Sequence, residues 1–475
     1  MTVTAAGAGY DLVVLGGGAA GLTAAWRAAL TGRSVCLVER APAFGGLAAS
    51  FDVAGIRVDH GSHRLHPSTA PHLLADLGEL LGGDLQTRPR NGRLRLYGRW
   101  VGFPLRAGEL ARRLPPSALR RIARDAVLEP FRRAGWPGYA DRGTSYGGHL
   151  STTLGPELYG ALYAPFAEKL WGLPGDRIDI EQARRRVSAD SPWKIAGRML
   201  RRSTPQGRVF HYPRRGFGQL VDVLEGAART AGAQLHAGTE VSTVDLRGPR
   251  PVVRLGGGSA IRAGHMLSTV PLPVLARLTR PQPSPEVLAG AGRLSLRAMV
   301  LVYLVHRGGR WTGYDAHYLP AGDTPVTRVS EPANYRDSAD DPTDRTVLCA
   351  ELPCATGDPI WRAGDRELAD IVLRTLAEAE LPPVDLMEVQ VRRLPHVYPV
   401  YEIEYADRLA GLQGWADGLT GVTTFGRQGL FVHDNTHHTM AMAYDAVAAL
   451  DGDNRRDEAS WAAARARFTR HVVED

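Results

Sequence analysis

The glycines Gly16, Gly18 and Gly21 constrain this chain more than any other feature. They follow the apolar run Asp11–Leu15 and open an alanine-rich helical stretch from Leu22 to Leu30. Gly32 closes that stretch, and Ser34 to Glu39 reads as a second apolar strand. Strand, glycine turn, helix and strand in this order specify a Rossmann-type βαβ unit. The first glycine permits the tight turn, the second lets a pyrophosphate approach the backbone, and the third lets helix and strand pack closely. Ala19 and Ala20 lie where the helix N-terminus presents free N–H groups and its positive dipole end to phosphates. Glu39 ends the second strand 18 residues past Gly21, where a carboxylate can accept hydrogen bonds from ribose hydroxyls. That acidic residue argues against NADP, whose 2′-phosphate it would repel.

The rest of the composition fits a large enzyme. The chain has 475 residues, enough for about three average domains, and its 44% hydrophobic and 23% charged content is ordinary for a globular protein. Cys36, Cys349 and Cys354 cannot form a disulfide framework and lack metal-type spacing, so reduced thiols and no metal are expected. No signal peptide and no membrane-spanning run is read, which places the chain in the cytoplasm. The net charge of +7 comes almost wholly from arginine, with Lys169 and Lys194 the two lysines, and no nucleic-acid motif accompanies it. Arginines are densest from Arg106 to Arg133, interleaved with Leu110, Leu114, Leu119, Ile122, Val127 and Leu128. This segment reads as a helical hairpin with a solvated basic face; the alternative is a peripheral membrane or anionic-substrate surface.

Beyond Glu39 come Arg40, four residues, and Gly45-Gly46, then an extended stretch from Phe51 to Asp59 with a turn at Gly55, ending in His60-Gly61-Ser62-His63. Here the sequence resembles the flavoprotein family of protoporphyrinogen oxidases, phytoene desaturases, amine oxidases and UDP-galactopyranose mutases, in which a double glycine stands at this distance. The resemblance implies FAD. Many members follow the glycine pair with arginine, where this chain has Leu47. Further stations follow in order: a hairpin around Tyr97-Gly98-Arg99, Tyr163 to Gly172 with its E-K-x-W-G, Tyr212-Pro213, a helix from Leu220 to Ala231, and an edge strand from Gln234 to Val241. Arg328 to Tyr335, Tyr398 to Tyr401, and Phe425-Gly426-Arg427 leading to Asn435-Thr436-His437 complete the series, with Asn435 as N-cap of an apolar helix from Met440 to Leu450.

The resemblance assigns the cofactor to Gly16, Gly18, Ala19, Ala20, Gly21, Glu39, Arg40, Gly46, Leu47, Gly61, Ser62, His63, Val241, Gly426, Arg427, Asn435, Thr436 and His437. Val241 is expected to hold the adenine through its backbone. The loop Gly61 to His66 matches a G-x-H-x-x-H signature that lies against the flavin ring in the mutase branch. His63 and His66 are therefore candidates for proton handling, since imidazole titrates near neutrality; the alternative is that both serve as loop donors. Arg328 is expected to position an anionic or polyhydroxyl substrate with its planar fork, the alternative being an ordinary strand salt bridge. Trp171, Tyr335 and Tyr401 are expected to line the pocket, the alternative being places in the aromatic core. Two departures stand against the mutase reaction itself. Arg185-Arg186 is followed by Val187-Ser188-Ala189-Asp190 with no arginine, and Phe431, His433 and Asp434 stand where that branch uses tyrosines.

The fold class expected is α/β: a Rossmann-type FAD-binding domain assembled from 1–92, 208–270 and 411–450, an inserted α+β substrate domain from 93–207 and 271–410, and a helical tail at 451–475. The activity expected is FAD-dependent hydride removal from a small molecule, which the resemblance leaves as a sugar-bearing metabolite, a tetrapyrrole or a polyene, with the mutase-like stations favouring a sugar. A redox-neutral mutase-like isomerase and a non-enzymatic flavin scaffold are the alternatives.

Overall fold

The computed structural model describes residues 9–133, 144–186 and 209–473. Strand β1 (Gly9–Leu15), helix α1 (Ala19–Ala29) and β2 (Val35–Val38) form the expected unit at the centre of the first sheet. Leu12 to Leu15 are all at most 1% exposed, as a parallel strand covered on both faces requires. Ala260–Ser268 runs parallel to β1 on its other side and in turn takes Val422–Thr424 as a parallel neighbour. The sheet therefore joins the beginning, middle and end of the chain, and its fold is α/β.

One expected strand is two. The segment Gln234 to Val241 breaks at Gly238, whose φ of +65° is left-handed backbone that glycine adopts at little cost. Gln234–His236 pairs with β2 at one edge of the sheet, whereas Val241–Asp245 pairs with Val252–Leu255 on the far side. Thr279–Arg280, grouped by sequence with the substrate domain, pairs with Val241–Asp245 in this same sheet.

The second sheet has seven strands and is mainly antiparallel. Its strand Leu296–Arg307 is buried on both faces. Ala298, Val300, Val302 and Leu304 pack under the helix Asp365–Glu378, while Met299, Leu301, Tyr303 and Val305 meet the ribbon of β3 (Ser50–Val53) and β4 (Ile56–Asp59). Alternation with period two serves two cores at once, so the strand reads in sequence as one unbroken apolar run. The hairpin Gly92–Leu96 and Arg99–Phe103 turns at Tyr97 and Gly98, both with positive φ, as a two-residue hairpin turn demands.

Ala107–Arg113 and Pro116–Arg133 form the expected helical pair. Asp125 and Glu129 point inward, and Arg120, Arg124 and Val127 lie exposed on the other side. Among the described residues no helix is long and apolar enough to cross a membrane. The three cysteines are buried and unpaired. The helix expected from Met440 starts earlier, at Thr436, because Asn435 and His438 close a capping box around its polar first turn. The tail helix Glu458–Phe468 seals the core beside it with Trp461, Ala464 and Phe468.

Candidate cofactor cradle and active site

The turn after β1 is built from three glycines that do different things. Gly16 has φ +100°, donates its N–H to the Val38 carbonyl at 2.9 Å, and leaves no room for a Cβ against Thr269. Gly21 faces the Gly16 carbonyl so closely that a side chain there would overlap it. At Gly18 the only atom a Cβ would approach within 4 Å is the Gly45 carbonyl oxygen, at 3.8 Å. An approach to the N-terminus of α1 is thus open only because Gly18 has no side chain. Gly45 donates to the Gly17 carbonyl at 2.7 Å, and Gly46 has φ +53°. The double glycine is therefore folded onto the first turn.

Glu39 accepts N–H bonds from Gly17 at 2.6 Å and from Ala41 at 2.7 Å. Each carboxylate oxygen keeps a second acceptor site, so the side chain is fixed in place and remains able to receive hydroxyls. Arg40 is exposed, and Leu47 packs on the core beneath β3 and β4. Val241 lies partly buried at the start of its strand, where the register shifts before Thr243.

The late segment comes back to the same place. Gly426, with φ +78°, would touch Ala20 of α1 if it carried a Cβ, at 3.4 Å. Ala20 and Gly426 are thereby neighbours although some 400 residues apart in sequence. Arg427 lies over the Tyr398 ring at 5.0 Å, and its Nε is buried with no hydrogen-bond partner among the described residues. Burial pulls this guanidinium below its ordinary range, against the attraction of Tyr398 and Asp434. Asn435 caps the helix, Thr436 begins it, and His437 is buried in its first turn, 6.3 Å from the His66 ring. A glycine cradle open at one position, a fixed carboxylate at its edge and a buried arginine whose Nε has no hydrogen-bond partner among the described residues fit a dinucleotide with a pyrophosphate.

The loop Gly61 to His66 is held by a residue that sequence reasoning missed. Glu351 stands in the strand Arg345–Cys354 and is 4% exposed. Its Oε1 accepts the Ser62 N–H at 2.9 Å and both Nε and Nη2 of Arg328, at 3.1 and 2.7 Å, while Oε2 accepts Nη2 at 2.9 Å. Gly61, φ +88°, passes this carboxylate so closely that a Cβ would sit 3.1 Å from Oε1. Burial works against the Arg328 charge, but Glu351 outweighs it and holds the guanidinium well above its ordinary range. Arg328 thus stands beside the histidine loop, where the sequence placed it across the pocket, with its Nε and Nη2 engaged by Glu351. The signal for Glu351 was present in sequence, as one carboxylate inside the apolar run from Val347 to Leu352.

His63 stacks on Phe217, ring centroids 5.1 Å apart, and its Nδ1 is buried with no hydrogen-bond partner among the described residues. Burial pushes this imidazole below its usual value, against the pull of Asp59 and Glu351. His66 is turned the other way, sharing its Nδ1 with the Ser68 hydroxyl at 2.7 Å. Tyr335 is buried and joins its hydroxyl to Ser62 Oγ. Trp171 and Tyr401 are held in side-chain clusters at 4% and 2% exposure. Tyr401 stacks on Tyr405 at 4.0 Å and donates to the Phe431 carbonyl, and Tyr146 meets Trp171 edge-on. The structure therefore brings Ser62, His63, Arg328 and Tyr335 together around Glu351, and holds Trp171 and Tyr401 in packed aromatic clusters. Val187 to Asp190, where a pyrophosphate arginine was sought, lies outside the described residues.

A family model described as flavin containing amine oxidoreductase matches residues 19–446. A coproporphyrinogen III oxidase from Propionibacterium freudenreichii subsp. freudenreichii is 25% identical over 457 residues, covering 84% of this chain and 83% of that protein. The fold is similar to a reduced UDP-galactopyranose mutase, with a TM-score of 0.80 and 20% identity over 98% of this chain and 100% of the other. It is also similar to a putative protoporphyrinogen oxidase from Exiguobacterium sp. 255-15, with a TM-score of 0.70 and 19% identity over 92% and 97% of the two chains.

Proposed function

The chain belongs to the flavin containing amine oxidoreductase family and is an FAD-dependent oxidoreductase; we propose that it removes a hydride from a small molecule, a sugar-bearing metabolite, beside the loop Gly61 to His66. Bound FAD supplies the hydride acceptor, and the protein supplies orientation, proton handling and exclusion of water. The observation that carries the reading is the joint at Glu351. One buried carboxylate fixes both the backbone of the histidine loop and the Arg328 fork, beside a His63 whose Nδ1 has no hydrogen-bond partner among the described residues. Arg328 holds an anionic or hydroxyl group of the substrate, and His63, kept neutral by its surroundings, takes a proton. The sugar class is supported by the mutase-like fold along the whole chain.

That likeness also favours a second reading, a redox-neutral isomerisation that runs only when the cofactor has first been reduced. Phe431 and His433 in place of the branch's tyrosines weigh against it. Anaerobic mixing of the oxidised holoenzyme with sugar-bearing metabolites separates the two. Bleaching of the flavin absorbance supports the hydride reading, and product formation dependent on prior dithionite reduction, without net bleaching, supports isomerisation. His63→Ala should slow substrate-driven bleaching by roughly 10²-fold or more while keeping the yellow holoenzyme spectrum. A wild-type rate in that variant removes His63 from the reaction.

A further inference from the structure

The sequence expects no metal, yet one group of side chains outside the sites above is arranged as ligands. Asp434 Oδ1 lies 3.2 Å from His438 Nδ1 and 3.1 Å from His471 Nδ1. These three ligand atoms all lie within 4.8 Å of one another. Asp434 precedes the helix Thr436–Ala448, His438 is in its first turn, and His471 comes from the segment after the tail helix. From these residues we propose that Asp434, His438 and His471 form a binding site for a divalent transition-metal ion of the zinc type.

Three observations carry this. The Asp434 side chain is fully buried, and its ion-pair partners among the described residues are the two imidazoles, with no arginine or lysine in salt-bridge range. A buried carboxylate is costly unless a cation compensates it. Asp434 Oδ2 is buried without a hydrogen-bond partner among the described residues. Second, both imidazoles turn Nδ1 toward the same Asp434 Oδ1 although His438 and His471 come from separate segments of the chain, and a metal on His438 Nδ1 displaces the long bond of 3.4 Å that this atom accepts from the Asn435 N–H. Third, ligand atoms bound at about 2.0–2.1 Å in a tetrahedron stand roughly 3.3 Å apart, close to both measured separations. Two imidazoles and one carboxylate suit zinc and its neighbours rather than calcium or magnesium. The two rings are stacked with centroids 4.3 Å apart and planes 13° apart, so binding turns one of them about its Cβ–Cγ bond. His438 and His471 side chains are 14% and 18% exposed, which gives an ion a way in.

Such an ion joins the tail segment to the first turn of the helix that also carries Asn435, Thr436 and His437. The test uses the FAD-loaded enzyme after dialysis against a chelator, titrated with Zn²⁺ in a calorimeter and with Co²⁺ in a spectrophotometer. One ion per chain, visible Co²⁺ bands on the long-wavelength side of the flavin, and a Zn²⁺-dependent rise in melting temperature are expected. His471→Ala should lower the affinity roughly 100-fold or more and abolish the rise, with the flavin spectrum unchanged. No saturable binding by the wild type overturns the proposal. So does binding that His471→Ala leaves unaltered, which would assign the metal to other histidines, and His438→Gln guards against a His471 variant that misfolds.

Discussion

At the scale of single residues, Glu39 and Glu351 do opposite electrostatic work with the same chemistry. Glu39 sits at the edge of the cradle, with both oxygens anchored by backbone N–H groups and their remaining acceptor sites free. Losing a charge-assisted hydrogen bond to a ribose hydroxyl costs about 1.5–3 kcal/mol. Glu39→Ala should therefore weaken FAD binding by roughly 10- to 150-fold in a chain that still folds, measured by fluorescence titration of the apoprotein. Glu351 is wholly engaged inside the fold. Glu351→Leu leaves Arg328 charged, buried and unpaired, so it should cost about 3–5 kcal/mol of stability. Pairing it with Arg328→Met should recover most of that loss in a denaturant titration, while substrate-driven flavin reduction stays impaired. Recovery of stability without recovery of reduction would separate the structural part of this pair from its part in the reaction.

At the scale of elements, what could be read in the sequence was whatever is encoded within about ten adjacent residues. The β1–α1–β2 unit, the Tyr97-Gly98 hairpin and the Asn435 cap each carry their own turn or capping chemistry, and all three stand where expected. The break at Gly238 was invisible because a strand's partner lies outside its own sequence: Gln234–His236 and Val241–Asp245 are drawn to opposite sides of one sheet. The Glu351–Arg328 pair and the Asp434, His438, His471 group were missed for the same reason, since spacing along the chain is silent about contacts across a sheet or from a tail. The cap itself can be tested. Asn435→Ala removes the side-chain acceptor of the capping box and should cost about 1 kcal/mol, seen as a lower melting temperature of both apoprotein and holoprotein. A holoprotein loss clearly larger than the apoprotein loss would mean that the same turn also holds FAD.

For the whole molecule, buried histidines add to its sensitivity to acid. His265 is pushed from 6.5 to about 4 by burial and by Arg456, and His317 to about 3 by burial and by Arg93. His433 is driven well below its usual value by burial, with Arg186 and Arg427 adding to the effect. These groups stay neutral in the folded chain and take up protons once it unfolds. Unfolding therefore binds protons below about 6.5, and stability is present above that pH and lost as pH falls toward about 4. Each group contributes up to about 1.4 kcal/mol per pH unit within its window. Denaturant midpoints measured from pH 7 down to about 4 should fall steadily, and His317→Gln should flatten the slope.

The first sheet has one more consequence, and it concerns the order in which the ribosome releases the chain. Asp11 to Glu39 emerges first, yet the strand Ala260–Ser268 that flanks β1 comes more than 200 residues later, and Val422–Thr424 later still. Gly426, which closes against Ala20, follows only then. At about 5–20 residues per second, the glycine turn waits roughly 20 to 80 seconds for its last neighbours. Until Gln234–His236 and Ala260–Ser268 have been made, the outer edges of the β1–β2 pair have no strand partner. The cradle closes over α1 only when Gly426 has been made, so its completion falls near the end of translation.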